Sequence, residues 1–171
     1  TDLHSLGEEA LARFRNGSIG LVPQGHAALR SLTVLENVLL PSVLYPGRGP
    51  GGRGAEELLD AVGMAQLKDA RPNELSGGEL RRMAIARALL MAPGVVLADE
   101  PTAGLDAASA ATALELLRGA ADSGAAVLVV THDREAEGAA DRILTMDGGR
   151  LGGPEPRGAG APRVEERQYT E

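Results

Sequence analysis

The stretch VVLADEPTAGLD, residues 95–106, is an apolar run that ends in two acids, a proline and a glycine-containing turn. Four apolar residues in succession, 95–98, have the pattern of a strand covered on both faces of a parallel sheet. Asp99 and Glu100 then fall at the carboxyl end of that strand, the edge at which open α/β sheets bind ligands. Successive strand residues point to opposite faces, so the two carboxylates cannot share one task. Residues 125–130 (AAVLVV) repeat the buried-strand pattern, and residues 107–118 between the two have helical character. Ser123 and Gly124 supply the turn back. Strand, helix and strand in this order predict a doubly wound α/β core.

Working outward, residues 8–15 read as a helix leading into a short buried strand at 18–22, before Pro23 and Gln24. Residues 33–90 are mostly helical in pattern, interrupted by PGRGPGGRG at 46–54, which reads as a mobile connection. A helix resumes at 56–62 and closes near Gly63. Residues 142–146 give one more strand, followed by a turn at 147–149. From Gly152 onward Gly, Pro and charge dominate, the composition of a disordered tail.

The composition sets bounds on function. The chain has 171 residues, enough for one sizeable core. It is 43% hydrophobic and only 2% aromatic, so Ala, Leu, Val and Ile build the core and little is left to stack on bases. A formal net charge of -7 argues further against nucleic acid as a partner. With no cysteine, disulfides and thiolate metal sites are excluded. The longest aliphatic run is too short to span a bilayer and no signal segment opens the chain. Any membrane connection is therefore expected through a partner.

Residues 75–79 read LSGGE and continue as LRRMAIARAL. Ser76, Gly77 and Gly78 open a helix near Glu79, where free N–H groups and the helix dipole favour an anion. His132, within VVTHD, follows the 125–130 strand and so reaches the same edge as Asp99. Gln24 follows the first strand at its carboxyl end. Asp106 either belongs to a loop with a role of its own or caps the helix that follows. On a helical wheel Arg87 lies among Leu80, Met83, Ala84 and Leu90, which predicts partial burial and a carboxylate partner.

LSGGE, VVLADEPTAGLD and VVTHD at this spacing resemble the ATPase subunit of ATP-binding cassette (ABC) transporters. Within that family, LHSLGEEALARFR, SIGLVPQ and LTVLENVLLPSVL look most like the lipoprotein-release and macrolide-export subunits. The resemblance runs from residue 3 to about 151. It implies a P-loop NTPase-type parallel core at 1–32 and 91–151 and a helical subdomain carrying the signature at 33–90, with 152–171 as tail. It implies that Asp99 and Gln24 hold Mg²⁺, that Glu100 polarises the attacking water, and that His132 and Gln24 assist at the γ-phosphate. Ser76, Gly77, Gly78 and Glu79, with Asp106 at the dimer interface, would engage ATP held by the opposite subunit. The implied partners are a transmembrane permease and a second ATPase subunit, identical or not. The implied location is cytoplasmic, peripheral on the inner face of the membrane.

One departure stands out. The family's G-x-x-x-x-G-K-[ST] loop cradles the phosphates with backbone N–H groups and a lysine, yet the single lysine here, Lys68, follows Ala65, Gln66 and Leu67. The family's N-terminal strands and P-loop are thus expected upstream of residue 1 or missing. Three readings follow: a subunit truncated at its N-terminus and inactive alone, a non-catalytic partner supplying the signature in trans to an intact ATPase, or a degraded gene product. Without the P-loop strand, the 125–130 strand is expected to expose an apolar edge, with marginal stability or self-association.

Overall fold

The computed structural model describes residues 2–25, 27–44 and 54–153. The expected mobile connection, apart from Gly54, and the tail beyond Gly153 lie outside the described residues.

A three-stranded parallel sheet in the order β1-β2-β3 carries the core, formed by β1 (Ile19–Val22), β2 (Val95–Asp99) and β3 (Ala126–Val130). Leu21, Leu97 and Leu128 stand in one row across it, and Val22, Ala98 and Val129 in the next. Because all three strands run the same way, the segments that follow them emerge at one edge.

Helices α1 (Glu8–Ser18), α2 (Val34–Leu44), α3 (Ala55–Ala61), α4 (Gly77–Leu89) and α5 (Ala107–Asp122) complete the α/β framework. Local sequence explains where they start. Ser76 and Glu79 form a reciprocal capping box on α4, Thr33 and Glu36 do the same ahead of α2, and Asp106 caps α5. Glu8 and Glu9 in the first turn and Arg15 in the last suit the dipole of α1.

Two apolar clusters meet at α4. Met83, Ala86 and Leu90 pack with Val34, Val38, Leu58, Leu59 and Met64 from the helical side. Ala84, Ile85 and Ala88, on the other side of the same helix, pack with Val22, Val96 and Ala98 of the sheet and Ala113 and Leu117 of α5. The helix approaches β1 so closely that a Cβ on Gly20 would collide with the Ala88 carbonyl, which accounts for a glycine inside a strand. Asn37 is fully buried in α2. Its amide accepts from the Leu29 N–H and donates to the carbonyls of Leu29, Leu32 and Thr33, fastening the loop that leads from β1.

Three expectations need correction. The strands are covered on one face only among the described residues: Leu21, Leu128 and Val130 are each more than half exposed on the other. Helices α4 and α5 both pack on the Val22 and Val96 side, so apolar continuity along β2 and β3 overstated their coverage. The expected strand at 142–146 is instead a separate hairpin of β4 (Met146–Asp147) and β5 (Arg150–Leu151), with Gly148 and Gly149 at positive φ between them. Those two glycines favour a tight reversal, and the hairpin forms a sheet separate from the parallel one. Finally, Arg87 is half-buried as expected, but it donates to the Ala27 carbonyl at 2.6 Å and, among the described residues, not to a carboxylate. Burial pushes its guanidinium below its ordinary pKa.

Among the described residues β3 is an edge strand, as the sequence led us to expect, with Leu128 and Val130 presenting apolar surface beside it. We expect residues 1–171 alone to self-associate, with an apparent mass in sedimentation that rises with concentration, and Leu128→Glu to suppress this. A monomer with a sharp, high melting transition would contradict it.

Candidate functional site

The parallel register brings the chemistry-bearing residues to one edge. Gln24 follows β1, Asp99 ends β2 with Glu100 beyond it, and His132 follows β3. Asp99 and Gln24 are exposed there, whereas the Glu100 side chain is only 15% exposed. Alternation along β2 places Asp99 with Val95 and Leu97 on the sheet's open face.

Glu100 is held on both oxygens. His132 Nδ1 lies 2.7 Å from Oε1, and the Thr131 hydroxyl donates to Oε2 at 2.9 Å. That hydroxyl also accepts from the Asp133 N–H at 3.0 Å, so its own proton is directed to the carboxylate. The Glu100 backbone sits at φ 49, in the left-handed region that an L-residue occupies at a cost of about 1–3 kcal/mol. Its N–H donates to the Val130 carbonyl at 2.8 Å, which ties this turn to the end of β3. Thr102, buried in the same turn, donates to Asp133 Oδ2 at 3.0 Å.

The bond to His132 and its positive charge hold Glu100 below the usual carboxylate range, with Thr131 adding to the effect and burial opposing it. The same contact raises His132 above the ordinary imidazole value. Stability from a lowered carboxylate is present above its unfolded pKa and lost as pH falls through the folded one. Stability from a raised imidazole is complete below its unfolded pKa and lost as pH rises through the folded one. The pair is thus intact from the carboxylate range to beyond about pH 6.5.

The second cluster surrounds the start of α4. Ser76 Oγ accepts from the Glu79 N–H, and Glu79 Oε2 accepts from the Ser76 N–H at 2.8 Å. The Ser76 N–H, and the Ser76 hydroxyl donating to the same carboxylate oxygen at 2.8 Å, lower the Glu79 pKa. Ser76, Gly77, Gly78, Gly104 and Asp106 line a cavity of about 510 Å³ that Arg82 borders. A Cβ on Gly78 would press within 3.3–3.4 Å of Leu105 and the Gly104 carbonyl, so close packing of the two loops limits that position to glycine or a strained alanine. Of the two readings of Asp106, capping is directly visible: its carboxylate accepts from the Ser109 N–H at 2.9 Å and from the Ser109 hydroxyl, which lowers its pKa.

Gln24, Asp99, Glu100 and His132 therefore come together at one edge, and Ser76 to Glu79 with Asp106 form a second group around the cavity. Arg81 joins the two groups. Buried in α4, it donates to the carbonyls of Pro23 and Gln24 at 2.6 and 2.7 Å, and to that of Asp99 at 3.5 Å. Sequence reading passed over Arg81 and Thr131. The only signal for Arg81 was its i, i+4, i+7 spacing to Ile85 and Ala88; for Thr131 it was adjacency to His132.

Comparison with known proteins identifies the family. The family model described as ABC transporter matches residues 2–103. The lipoprotein-releasing system ATP-binding protein LolD of Chromohalobacter salexigens is 44% identical over 151 residues, covering 87% of this chain and 64% of that protein. The macrolide export ATP-binding/permease protein MacB of Nitrosomonas europaea is 40% identical over 152 residues, 88% of this chain and 23% of its own length. Among solved structures, the dimeric post-hydrolysis state of the ATP-binding cassette MJ0796 bound to ADP and Pi matches with a TM-score of 0.77 at 34% identity. That match covers 88% of this chain and 68% of the other. The chain thus spans just under two thirds of the first of these relatives.

Glu100→Gln removes the charge that raises His132. Its imidazole titration, followed by NMR, is expected to fall back toward about 6.5. An unchanged midpoint would show that the pair does not form in solution.

Proposed function

The chain belongs to the ABC transporter family as an ATP-binding subunit, and from that premise we propose that it couples ATP hydrolysis to transport by a membrane permease. The observation that carries the proposal is Glu100, a shielded carboxylate with each oxygen engaged once, by Thr131 and by His132, at the ligand-binding edge of a parallel sheet. The remaining lone pairs can accept from a water and polarise it toward a γ-phosphate. His132 is 88% exposed and can turn a ring N–H to a phosphate oxygen.

Asp99 and the amide oxygen of Gln24 suit Mg²⁺ in chemistry, being hard oxygen donors exposed at the same edge. Among the described residues no group of three or more His, Cys, Asp or Glu side chains forms a metal cage. That is the sparse donor set Mg²⁺ uses when nucleotide phosphates supply other ligands. When bound, the ion would neutralise phosphate charge; Asp99 and Gln24 would orient it.

Ser76, Gly77, Gly78 and Glu79 are proposed to meet ATP on a second ATPase subunit, with Asp106 at the contact. The start of a thirteen-residue helix beside an open cavity supports this. Since no glycine-lysine phosphate loop lies within residues 1–171, we expect these residues alone to be inactive. Among the described residues no helix is long and apolar enough to cross a membrane, so attachment to the inner face through the permease is part of the proposal.

In the full-length subunit with its permease, Glu100→Gln should lower the hydrolysis rate by about 10²–10⁴-fold while ATP binding persists. Turnover within a few-fold of the unaltered protein would remove Glu100 from this role.

A further inference from the structure

Arg81 is 5% exposed and has no carboxylate within ion-pair distance among the described residues. A buried guanidinium normally requires a counter-charge or a full set of acceptors. Here the acceptors are backbone carbonyls on two different strand ends. One terminal nitrogen donates to Pro23 and, at the limit of bonding distance, to Asp99; the other donates to Gln24. Among the described residues the Nε has no hydrogen-bond partner. A planar fork spanning consecutive carbonyls is something an arginine can do and a lysine cannot.

The position of this contact matters because of what lies at either end. Arg81 is five residues beyond Ser76 on the same helix, and the peptide groups it holds belong to Gln24. Other donors fasten the remainder of the loop: Arg87 holds the Ala27 carbonyl, Arg71 that of Ser31, and Asn37 those of Leu29 and Leu32. Among the described residues, only the side chain of Arg81 donates to both Gln24 and the end of β2.

We propose that Arg81 is a positioning residue that couples the signature turn at Ser76 to the glutamine turn at Gln24, so that a displacement of the first turn of α4 is felt at Gln24 and the end of β2. This rests on the reading of both turns as parts of ATP sites. The mechanical link itself needs no nucleotide.

The test is a double-mutant cycle read by amide ¹⁵N and ¹H chemical shifts in the full-length protein. The Gln24 and Gly25 amides belong to the two peptide groups whose carbonyls Arg81 binds. Ser76→Ala removes the cap and disturbs the first turn of α4. It should shift both amides in the Arg81 protein, and by about fivefold less in the Arg81→Met background. The Gly104 and Ser109 amides, beside the signature turn through Gly78 and the cavity, should respond to Ser76→Ala equally in both backgrounds. Arg81→Lys, which keeps charge but not the fork, should give an intermediate response and carries the test if the methionine variant does not fold. Equal Gln24 and Gly25 shifts in both backgrounds, or none in the Arg81 protein, would overturn the coupling. Because no ATP is present, that result is independent of whether Glu100→Gln stops hydrolysis.

Discussion

Everything in this molecule is arranged around a helix buried on two sides. Burial of Met83, Ala86 and Leu90 in one cluster and of Ala84, Ile85 and Ala88 in the other makes α4 the shared wall of two cores. A helix packed on two sides has little room to slide, and close packing makes small displacements costly. Gly20 against the Ala88 carbonyl fixes its distance from the sheet. The signature turn therefore inherits its location from apolar packing more than from its own hydrogen bonds.

The polar part of the site follows from that constraint. With α4 fixed, Arg81 and Arg87 extend from it to backbone carbonyls after β1, and the loop bearing Gln24 is held by these donors together with Ala28, which packs on the helical-side cluster. Across the edge, the Glu100 carboxylate, the Thr131 hydroxyl and the Asp133 N–H form an ordered chain of hydrogen bonds. Each polar group satisfies another, which is how a buried polar site retains one geometry.

The sequence made the sheet edge legible because strand alternation and a short apolar run leave little choice about where an acid after the run must lie. Asp99, Glu100, Gln24 and His132 were all assigned to that edge by this logic. It failed for the helix. When a helix packs against two layers, a wheel does not say which stripe faces which layer, so Arg87 reads as the buried cation while Arg81 carries the deeper contact. The one-sided sheet was hidden for a related reason: Leu128 and Val130 are as apolar as Val127 and Val129, and sequence does not record which row meets a helix. The hairpin at Met146 to Leu151 turns on Gly148 and Gly149 at positive φ, a local geometry that an apolar run does not announce.

The left-handed backbone of Glu100 has a consequence for how such a chain changes over time. Glycine or asparagine relieves that conformation, so selection for folding alone would favour replacing the acid. If Glu100 has the role proposed for it, selection for chemistry would oppose that replacement, and the left-handed glutamate would be a point where the two pressures conflict.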